Sequence, residues 1–147
     1  MELYLAHPFN IRKEIREWEL EFENKTGIKL VNPFYDKKRE DVINIDAGRK
    51  ERYELTSKES NNIVLKDIGL IIRMDGILAF ITGAISYGTI QEMVYAKVLS
   101  KPIYSVITNG HDKHPWLRYH SDKIFTDRKD LERFLINSIA PTPIQNI

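Results

Sequence analysis

Two carboxylates, Glu92 and Asp67, are the strongest candidates for chemistry in this sequence. Glu92 lies in the stretch "ITGAISYGTIQEMVYA", residues 81–96, where an apolar run passes through two glycines and a serine into a helical pattern. A carboxylate that is ionised and held in position can attack a sugar carbon as a nucleophile. Thr89-Ile-Gln-Glu92 also matches a capping box, in which the glutamate only bonds back to the amide of the capping residue.

The position of Glu92 along the chain favours a functional role over the capping role. The stretch follows a predicted central strand, and the turn "SYG" before the helix is able to present backbone amides. The helix dipole and free amides at such a start keep a nearby carboxylate ionised. The sequence therefore predicts a carboxylate enzyme that acts on a small ligand, either anionic or sugar-like.

Asp67 and Asp75 both lie at or near the end of a predicted helix that otherwise buries isoleucines. Asp75 directly precedes Gly76, and this pair is typical of a turn. Asp67 is harder to explain structurally, because a carboxylate near a helix C-terminus opposes the helix dipole unless it faces a cleft. Asp67 is therefore the second catalytic candidate, with a purely structural role left open.

The histidines give weaker signals. His111-Asp-Lys-His114, with His120 beyond it, follows a glycine and lacks the helical spacing of a metal motif, so we expect solvated loop histidines and no metal or cofactor. His7 and Phe9 follow the first predicted strand and are well placed for a ligand, although a simple strand-ending turn explains them equally well. No Walker loop, nucleophile elbow, HExxH or GxGxxG motif occurs in the sequence.

Composition narrows the class of protein. The 147 residues fit one domain, 1–147, and the absence of cysteine excludes disulfides, thiolate metal sites and a cysteine nucleophile. With 22 Lys and Arg against 21 Asp and Glu, the net charge is +1 and the signs alternate, so polymeric nucleic acid is not an expected partner. The N-terminus lacks a signal-peptide pattern and no segment suits a membrane span, so we expect a cytoplasmic protein.

Strands and helices alternate along the chain to position these residues. Strands are predicted at Leu3–Ala6, Ile28–Val31, Ile77–Ile81, Ile103–Ile107 and Lys123–Thr126. Helices are predicted at Ile11–Lys25, ended by Gly27, at Asn61–Met74, from the turn at 86–89 to about Ser100, and at Arg128–Ile139, capped by Asp127. The charged stretch up to about Ser60 is expected to be loop and exposed helix, and a mobile flap over 33–60 is left open.

This alternation predicts a single α/β domain. The expected architecture is a five-stranded parallel sheet of flavodoxin-like winding, with helices on both faces and right-handed crossovers. Ligands of such sheets bind at the carboxyl ends of the strands, where the winding direction switches. We therefore expect the chemistry in the turns after Ala6, Ile81 and Ile107.

Three segments together resemble the nucleoside 2-deoxyribosyltransferase superfamily: "YLAHPF", "DIGLIIRMDGILAF" and "SYGTIQEMVYA". The resemblance spans about residues 3–108. It implies that Glu92 attacks the anomeric carbon of a 2-deoxyribosyl group and that Asp67 assists the leaving base. Asp75 is similar to the family's turn aspartate, which need not react.

The resemblance also indicates the substrate. Transferases that use free nucleosides typically have an aspartate six residues before the nucleophile, and this chain has Ser86 there. A serine resembles the branch that hydrolyses 2'-deoxynucleoside 5'-monophosphates, because a hydroxyl and helix-start amides suit a phosphate that a carboxylate would repel. The opening turn departs from the family, since it has His7 where many members have glycine. The substrate-binding positions implied near the two turns are Tyr4, His7, Phe9, Asn10, Ser86, Gly88 and Thr89.

Neighbouring subunits commonly complete sites in this family, so the loop "NGHDKHPWLRYHS" is expected to lend Asn109, Trp116 or Ser121 to a partner's pocket in a homo-oligomer. The expected function is cleavage of the N-glycosidic bond of a 2'-deoxynucleoside 5'-monophosphate through a deoxyribosyl-Glu92 ester. One alternative is a transferase that passes the sugar to a second base. Another is a nucleotide-binding sensor that uses the same pocket without turnover.

Overall fold

A five-stranded parallel sheet forms the centre of the molecule, whose computed structural model describes residues 1–35 and 55–138. The strands are β1 (Glu2–Ala6), β2 (Lys29–Val31), β3 (Gly76–Ile81), β4 (Ile103–Ile107) and β5 (Lys123–Phe125). Their order across the sheet is β2-β1-β3-β4-β5, and all four neighbouring pairs are parallel. This order confirms the predicted flavodoxin-like winding.

Helices cover both faces of the sheet. They are α1 (Arg12–Thr26), α2 (Ser57–Arg73), α3 (Tyr87–Val98), α4 (Pro115–His120) and α5 (Arg128–Ser138). Two short 3-10 turns, Phe9–Ile11 and Pro33–Tyr35, follow β1 and β2. In the part of the chain that the structure describes, no helix is long and apolar enough to cross a bilayer.

Two hydrophobic cores show where the winding switches. Tyr4 and Ala6 of β1 pack in a core with side chains of α2, α3 and α4, whereas Leu3 and Leu5 pack in a second core with α1 and α5. The chain therefore leaves β1 towards one face, through α1, and leaves β3 towards the other, through α3. Because β1 and β3 are neighbours, their carboxyl ends flank a switch point. We call the space between the two following turns, residues 7–10 and 82–86, the β1–β3 crevice.

Helix α2 begins four residues earlier than its apolar stripe predicts. Thr56 accepts a hydrogen bond from the backbone N–H of Glu59, and the Glu59 carboxylate accepts one from the Thr56 N–H. This reciprocal pair is a capping box, which stabilises a first turn that has few apolar residues. Most of the suggested flap over 33–60 lies outside the described residues.

Helix α4 corrects the prediction of an irregular loop after β4. His114 is its N-cap and accepts a hydrogen bond at Nδ1 from the Trp116 N–H at 3.3 Å, while Pro115 occupies the first helical turn. Proline is favoured there because its fixed φ suits a helix. An N–H in the first turn has no partner within the helix, so its absence in proline costs no helical hydrogen bond. The six-residue helix is too short for its periodicity to have been recognised.

The predicted ends of two other helices are confirmed. Gly27 ends α1 with a φ of 74°, a left-handed conformation that glycine adopts without strain. Asp127 Oδ1 accepts a hydrogen bond from the Lys129 N–H at 2.8 Å at the start of α5. Residue 139, the predicted end of that helix, lies beyond the described range. The end of α1 and the start of α5 determine the lengths of the connections to the neighbouring strands, and thereby where these helices lie on the sheet.

Candidate active site

Ser86 is the residue that begins helix α3. Its side chain accepts a hydrogen bond from the Thr89 N–H at 3.4 Å, and its carbonyl accepts one from the Ile90 N–H. The alternative interpretation of Thr89–Glu92 as a capping box is therefore wrong, because the N-cap is Ser86, three residues before Thr89, and Glu92 is the sixth residue of the helix. The sequence pattern matched by chance inside an element that Ser86 had already capped. The structural explanation for Glu92 as a capping residue is thereby removed.

The Glu92 side chain reaches back along α3 towards the β1–β3 crevice. A Cβ placed on Gly88 would lie 3.7 Å from Glu92 Oε1 and 3.9 Å from Ser86 Oγ. Glu92 is half-buried, and its Oε2 atom is inaccessible to solvent. A side chain at Gly88 would therefore make ordinary van der Waals contact with both oxygens, so the Glu92 carboxylate and the Ser86 hydroxyl flank the same point of the first helical turn.

Two further hydroxyls near this turn are buried. Thr82 Oγ1, directly after β3, and Thr89 Oγ1 have no hydrogen-bond partner among residues 1–35 and 55–138. Buried hydroxyls in folded proteins normally have a partner, which is often water or a bound ligand. Polar atoms at the carboxyl end of β3 are thus available to a ligand or to ordered water.

Asp67 lies on α2, which packs against α3. It is half-buried and precedes the buried residues Leu70 and Ile71 by three and four positions, so it shares their face of the helix. That face packs in the same core as Met93 of α3. Asp67 is therefore on the inward side of the helix next to the one that carries Glu92.

The turn after β1 is held by hydrogen bonds and ring contacts. His7 is buried, with its Nδ1 atom 2.9 Å from the Pro8 carbonyl oxygen and its Nε2 atom 3.1 Å from Asn32 Oδ1. Burial lowers the pKa of His7, although its hydrogen bonds to Pro8 and Asn32 raise it. The His7 ring contacts Phe34, which packs against Phe9 at a ring separation of 5.5 Å. We call Phe9 and Phe34, which follow β1 and β2, the aromatic wall.

A buried polar network that the sequence did not reveal supports this turn. It comprises His7, Asn32, Glu19 and Arg16, with Glu19 Oε1 accepting hydrogen bonds from Asn32 Nδ2 at 3.0 Å and Arg16 Nη1 at 3.1 Å. Burial raises the pKa of Glu19, while the hydrogen bonds from Arg16 and Asn32 lower it. The signal was present, because Glu19 follows Ile15 by four positions and so falls on the apolar stripe of α1, where a carboxylate is out of place.

The remaining predicted site residues are distributed unevenly. Asn109 Nδ2 donates to the Gly83 carbonyl at 3.0 Å, which brings the turn after β4 against the turn after β3. Asn10 is exposed in the 3-10 turn after β1, and Tyr4 is fully buried on the face that α2 and α3 cover. Through this bond Asn109 lies beside the crevice, because Gly83 belongs to the turn after β3.

Trp116 and Ser121 lie on or next to α4. Trp116 is 70% exposed, whereas Ser121 lies before β5 and bonds the Ser105 hydroxyl of β4 at 2.7 Å. Ser121 therefore precedes a parallel strand, so it lies towards the amino edge of the sheet and away from its own chain's crevice. A role for Ser121 at a site would have to be exercised in a neighbouring copy of the chain.

Asp75 has the structural role expected of a turn residue. Its Oδ2 atom accepts a hydrogen bond from the Glu2 N–H at 2.8 Å, and its own N–H donates to the Glu2 carbonyl. These bonds join the starts of β1 and β3, at the edge opposite the crevice. Within the ranges that the structure describes, no three His, Asp or Glu side chains are arranged to hold a metal ion.

Solved structures with the same fold include enzymes of nucleoside and nucleotide chemistry. The chain is similar to a 2-deoxyribosyltransferase from Bacillus psychrosaccharolyticus, with 18% identity, 90% of each chain covered and a TM-score of 0.66. It is also similar to a CMP N-glycosidase from Clostridium botulinum, with 16% identity, 92% of this chain and 97% of that chain covered, and a TM-score of 0.55. A conserved protein from Enterococcus faecalis has 14% identity, 90% and 95% coverage and a TM-score of 0.61.

No family model matches the sequence, and no curated protein matches it. At these identities the structural likeness establishes the fold, which is that of the 2-deoxyribosyltransferase-like proteins. The resemblance inferred from the three sequence segments is thus confirmed at the level of the fold. The named neighbours act on the N-glycosidic bond of nucleosides or nucleotides.

Proposed function

We propose that this protein is an enzyme that cleaves the N-glycosidic bond of a 2'-deoxynucleoside 5'-monophosphate. The observation that carries the proposal is the position of Glu92 Oε1 and Ser86 Oγ, which both lie within 4 Å of one point beside Gly88, at the start of a helix next to the switch point. A carboxylate and a helix N-terminus so arranged suit a sugar phosphate, whose anomeric carbon and phosphate need one group each. The fold shared with a deoxyribosyltransferase and a CMP N-glycosidase supports the same chemistry.

In the proposed reaction Glu92 is the nucleophile. A Glu92 carboxylate oxygen forms a bond to the anomeric carbon while the bond from that carbon to the base nitrogen breaks, and Asp67 donates a proton to the departing base. Water then attacks the anomeric carbon, Glu92 leaves with its electron pair, and Asp67 takes the proton of the water. The covalent ester divides one difficult displacement into two easier ones, as in retaining glycosidases.

Ser86 and the amides around Gly88 and Thr89 would receive the 5'-phosphate. The Ser86 hydroxyl already accepts a long hydrogen bond from the Thr89 N–H, at 3.4 Å, and its hydrogen remains available to donate to a phosphate oxygen. Phe9 and Asn10 lie on the other side of the crevice, in the turn after β1, and would face the base, while the buried His7 would hold this turn in place. We propose no cofactor for this reaction, because neither step requires one.

A transferase is the second candidate, and the deoxyribosyltransferase neighbour favours it. In that reaction a second base, rather than water, attacks the deoxyribosyl-Glu92 ester. The two functions share the first step, so they differ only in which nucleophile reaches the ester. They are distinguishable by product alone.

We further propose a homo-oligomer of this single domain, in which α4 contributes to a neighbour's pocket. Trp116 and Tyr119 are 70% and 66% exposed, and together with Pro115 they line a shallow cavity of about 400 Å³. Large aromatic side chains exposed together are typical of protein interfaces. Ser121 of the same segment lies away from its own crevice, which agrees with a role in a second copy.

Base release measured by chromatography tests the proposed function. The protein is incubated with each common 2'-deoxynucleoside and its 5'-monophosphate, with and without a second free base. Release of base and deoxyribose 5-phosphate in equal amounts from monophosphates supports the hydrolase. Formation of a new nucleoside in the mixtures supports the transferase, and tight binding without any base release would support the sensor and overturn both.

A further inference from the structure

The orientation of the Asn32 amide is fixed by two partners of known chemistry. Its Oδ1 atom accepts a hydrogen bond from the Phe34 N–H at 3.1 Å, and its Nδ2 atom donates to Glu19 Oε1 at 3.0 Å. A backbone N–H only donates, and an ionised carboxylate only accepts, so the amide cannot be reversed without losing both bonds. Oδ1 therefore faces His7, and the His7 Nε2 atom, 3.1 Å away, must donate to it.

The other ring nitrogen of His7 also faces an acceptor. Nδ1 is 2.9 Å from the Pro8 carbonyl oxygen, which has no hydrogen to donate. A neutral imidazole carries one N–H, so it satisfies only one of these two contacts, whereas the imidazolium satisfies both. The geometry around His7 thus suits the cation, and Asn32 links the ring to the Glu19 carboxylate, which can balance its charge.

Glu19 is costly to keep where it is. The residue is fully inaccessible to solvent, and its Oε2 atom has no hydrogen-bond partner in the portion of the chain that the structure describes. Burial raises the pKa of Glu19, because the charged form loses its hydration. A buried carboxylate with one unsatisfied oxygen is a poor choice for stability alone, since glutamine would accept the same bonds at Oε1 without the charge.

We propose that Glu19 is a positioning residue: through Asn32 it favours the doubly protonated His7 ring, which bonds Asn32 at Nε2 and the Pro8 carbonyl at Nδ1 and thereby fixes the aromatic wall, Phe9 and Phe34, on the β1 side of the crevice. His7 contacts the Phe34 ring at a separation of 5.0 Å, and Asn32 bonds the Phe34 backbone directly. The inference rests on the proposed function only in that a ligand's base would lie against this wall. Neither Glu19 nor His7 touches the ligand, because both are buried.

The charged groups around His7 determine the sign of the effect. Within residues 1–35 and 55–138, the charged groups that approach from α1 include Glu19, Arg16, which pairs with the Glu19 carboxylate, and Arg12, which lies over the Phe9 ring. The described residues after β2, Asn32 to Tyr35, contribute the phenol of Tyr35 but no carboxylate or cation. Glu23, also on α1, raises the pKa of Glu19. Burial is the largest effect on His7 and lowers its pKa, and Glu19, joined to the ring through Asn32, is an anion of α1 that opposes this shift. Its neutralisation must lower the pKa of His7.

The test compares Glu19→Gln with Glu21→Gln, a matched change at an exposed position on the same helix. The pKa of His7 is read from nitrogen–proton NMR spectra of the ring, which distinguish the cation from either neutral tautomer and require no turnover. Glu19→Gln should lower this pKa and leave the melting temperature at or above that of the unmodified protein. Glu21→Gln should change neither quantity. An unchanged pKa of His7 would overturn the inference whether or not the protein is an enzyme.

The kinetic arm uses whichever 2'-deoxynucleoside 5'-monophosphate is cleaved fastest. If the wall is loosened, Glu19→Gln should raise KM roughly three- to tenfold, the scale of one hydrogen bond, with little change in kcat. The ratio of the KM of Glu19→Gln to the KM of the Glu21→Gln control should shrink above the pKa of His7, because the ring is then neutral in both proteins and bonds an acceptor at only one nitrogen. A KM that stays unchanged at every pH, or a loss of stability with no shift of the pKa of His7, would contradict a positioning role.

Discussion

The two sides of the β1–β3 crevice are built in opposite ways. On the β1 side, Asn32 joins three segments through hydrogen bonds of 3.0 to 3.1 Å to Glu19, His7 and Phe34. On the β3 side, Ser86 makes one long bond to Thr89, and the buried hydroxyls of Thr82 and Thr89 have no partner in the described chain. The β1 side is thus organised before any ligand arrives, whereas the β3 side keeps polar groups available for one.

This difference indicates a division of roles. Groups that already bond each other cannot be offered to a substrate without loss, so the β1 side is suited to shape and position. Groups that are held in place but incompletely bonded gain partners when a substrate binds, so the β3 side is suited to reaction and phosphate binding. Substitutions on the β3 side should therefore affect rates more than stability, whereas those in the buried polar network that leave a buried group without its hydrogen bond should affect stability more than rates.

The largest effect is expected at Glu92. Glu92→Gln keeps the size and the hydrogen-bonding capacity of the side chain but cannot form the glycosyl ester, so turnover should fall by about three or more orders of magnitude. Circular dichroism and thermal melting should show a normally folded protein. Near-native rates of base release from this variant would remove Glu92 from the mechanism.

Asp67→Asn comes next, because general acid catalysis contributes roughly 100- to 10,000-fold. The loss should appear in kcat rather than in KM and should be smallest for substrates whose base leaves readily without a proton. Single-turnover base release across a series of leaving groups measures this dependence. A uniform rise in KM with unchanged kcat would instead assign Asp67 to binding.

Asn32→Ala tests how far the buried polar network on the β1 side stabilises the fold. It leaves His7 Nε2 and the Phe34 N–H without their partner, while Glu19 Oε1 keeps its bond from Arg16. Unsatisfied buried groups cost about 1–3 kcal/mol each, so the free energy of unfolding should fall by about 2–6 kcal/mol. Denaturant unfolding measures the loss. The exposed Asn10→Ala, in the turn after β1, is the control and should change stability little; equal effects would mean that the network is not the organised region described above.

Ser86→Asp should have the smallest effect on free energy and the clearest effect on the choice between nucleoside and monophosphate. A carboxylate beside a phosphate adds like-charge repulsion, but it still caps a helix and still accepts a hydrogen bond from a free 5'-hydroxyl. The ratio of kcat/KM for monophosphate to that for nucleoside should fall roughly ten- to a hundredfold, the scale of one charge-assisted contact. If the unmodified protein already uses both equally, the phosphate role of Ser86 fails and the transferase becomes the first candidate.

The sheet order and the main helices were predictable because their patterns are local. The apolar runs at Leu3–Ala6 and Ile77–Ile81 and the stripe of α1 each determine an element without reference to the rest of the chain. The errors arose where two local patterns competed. Thr89–Glu92 and Thr56–Glu59 both match a capping box, and only packing and the upstream cap at Ser86 decide that the second is real.

The buried polar network could not be predicted from spacing. His7 and Asn32 are separated by 25 positions and Asn32 and Glu19 by 13, so their contacts exist only after β1, α1 and β2 have packed. The catalytic candidates were easier to find, because Glu92 stands close to a recognisable strand-turn-helix boundary. Sequence therefore indicates the residues proposed for the reaction better than the buried network that supports the turn after β1.

Trapping the covalent intermediate tests directly whether Glu92 is the nucleophile. The protein is mixed with a 2'-deoxynucleoside 5'-monophosphate, quenched in acid within the first turnover, digested and analysed by mass spectrometry. The account predicts a deoxyribosyl phosphate adduct on the peptide that contains Glu92, absent from Glu92→Gln treated in the same way. Burst release of base with no adduct on that peptide, or an adduct on another residue, would contradict it.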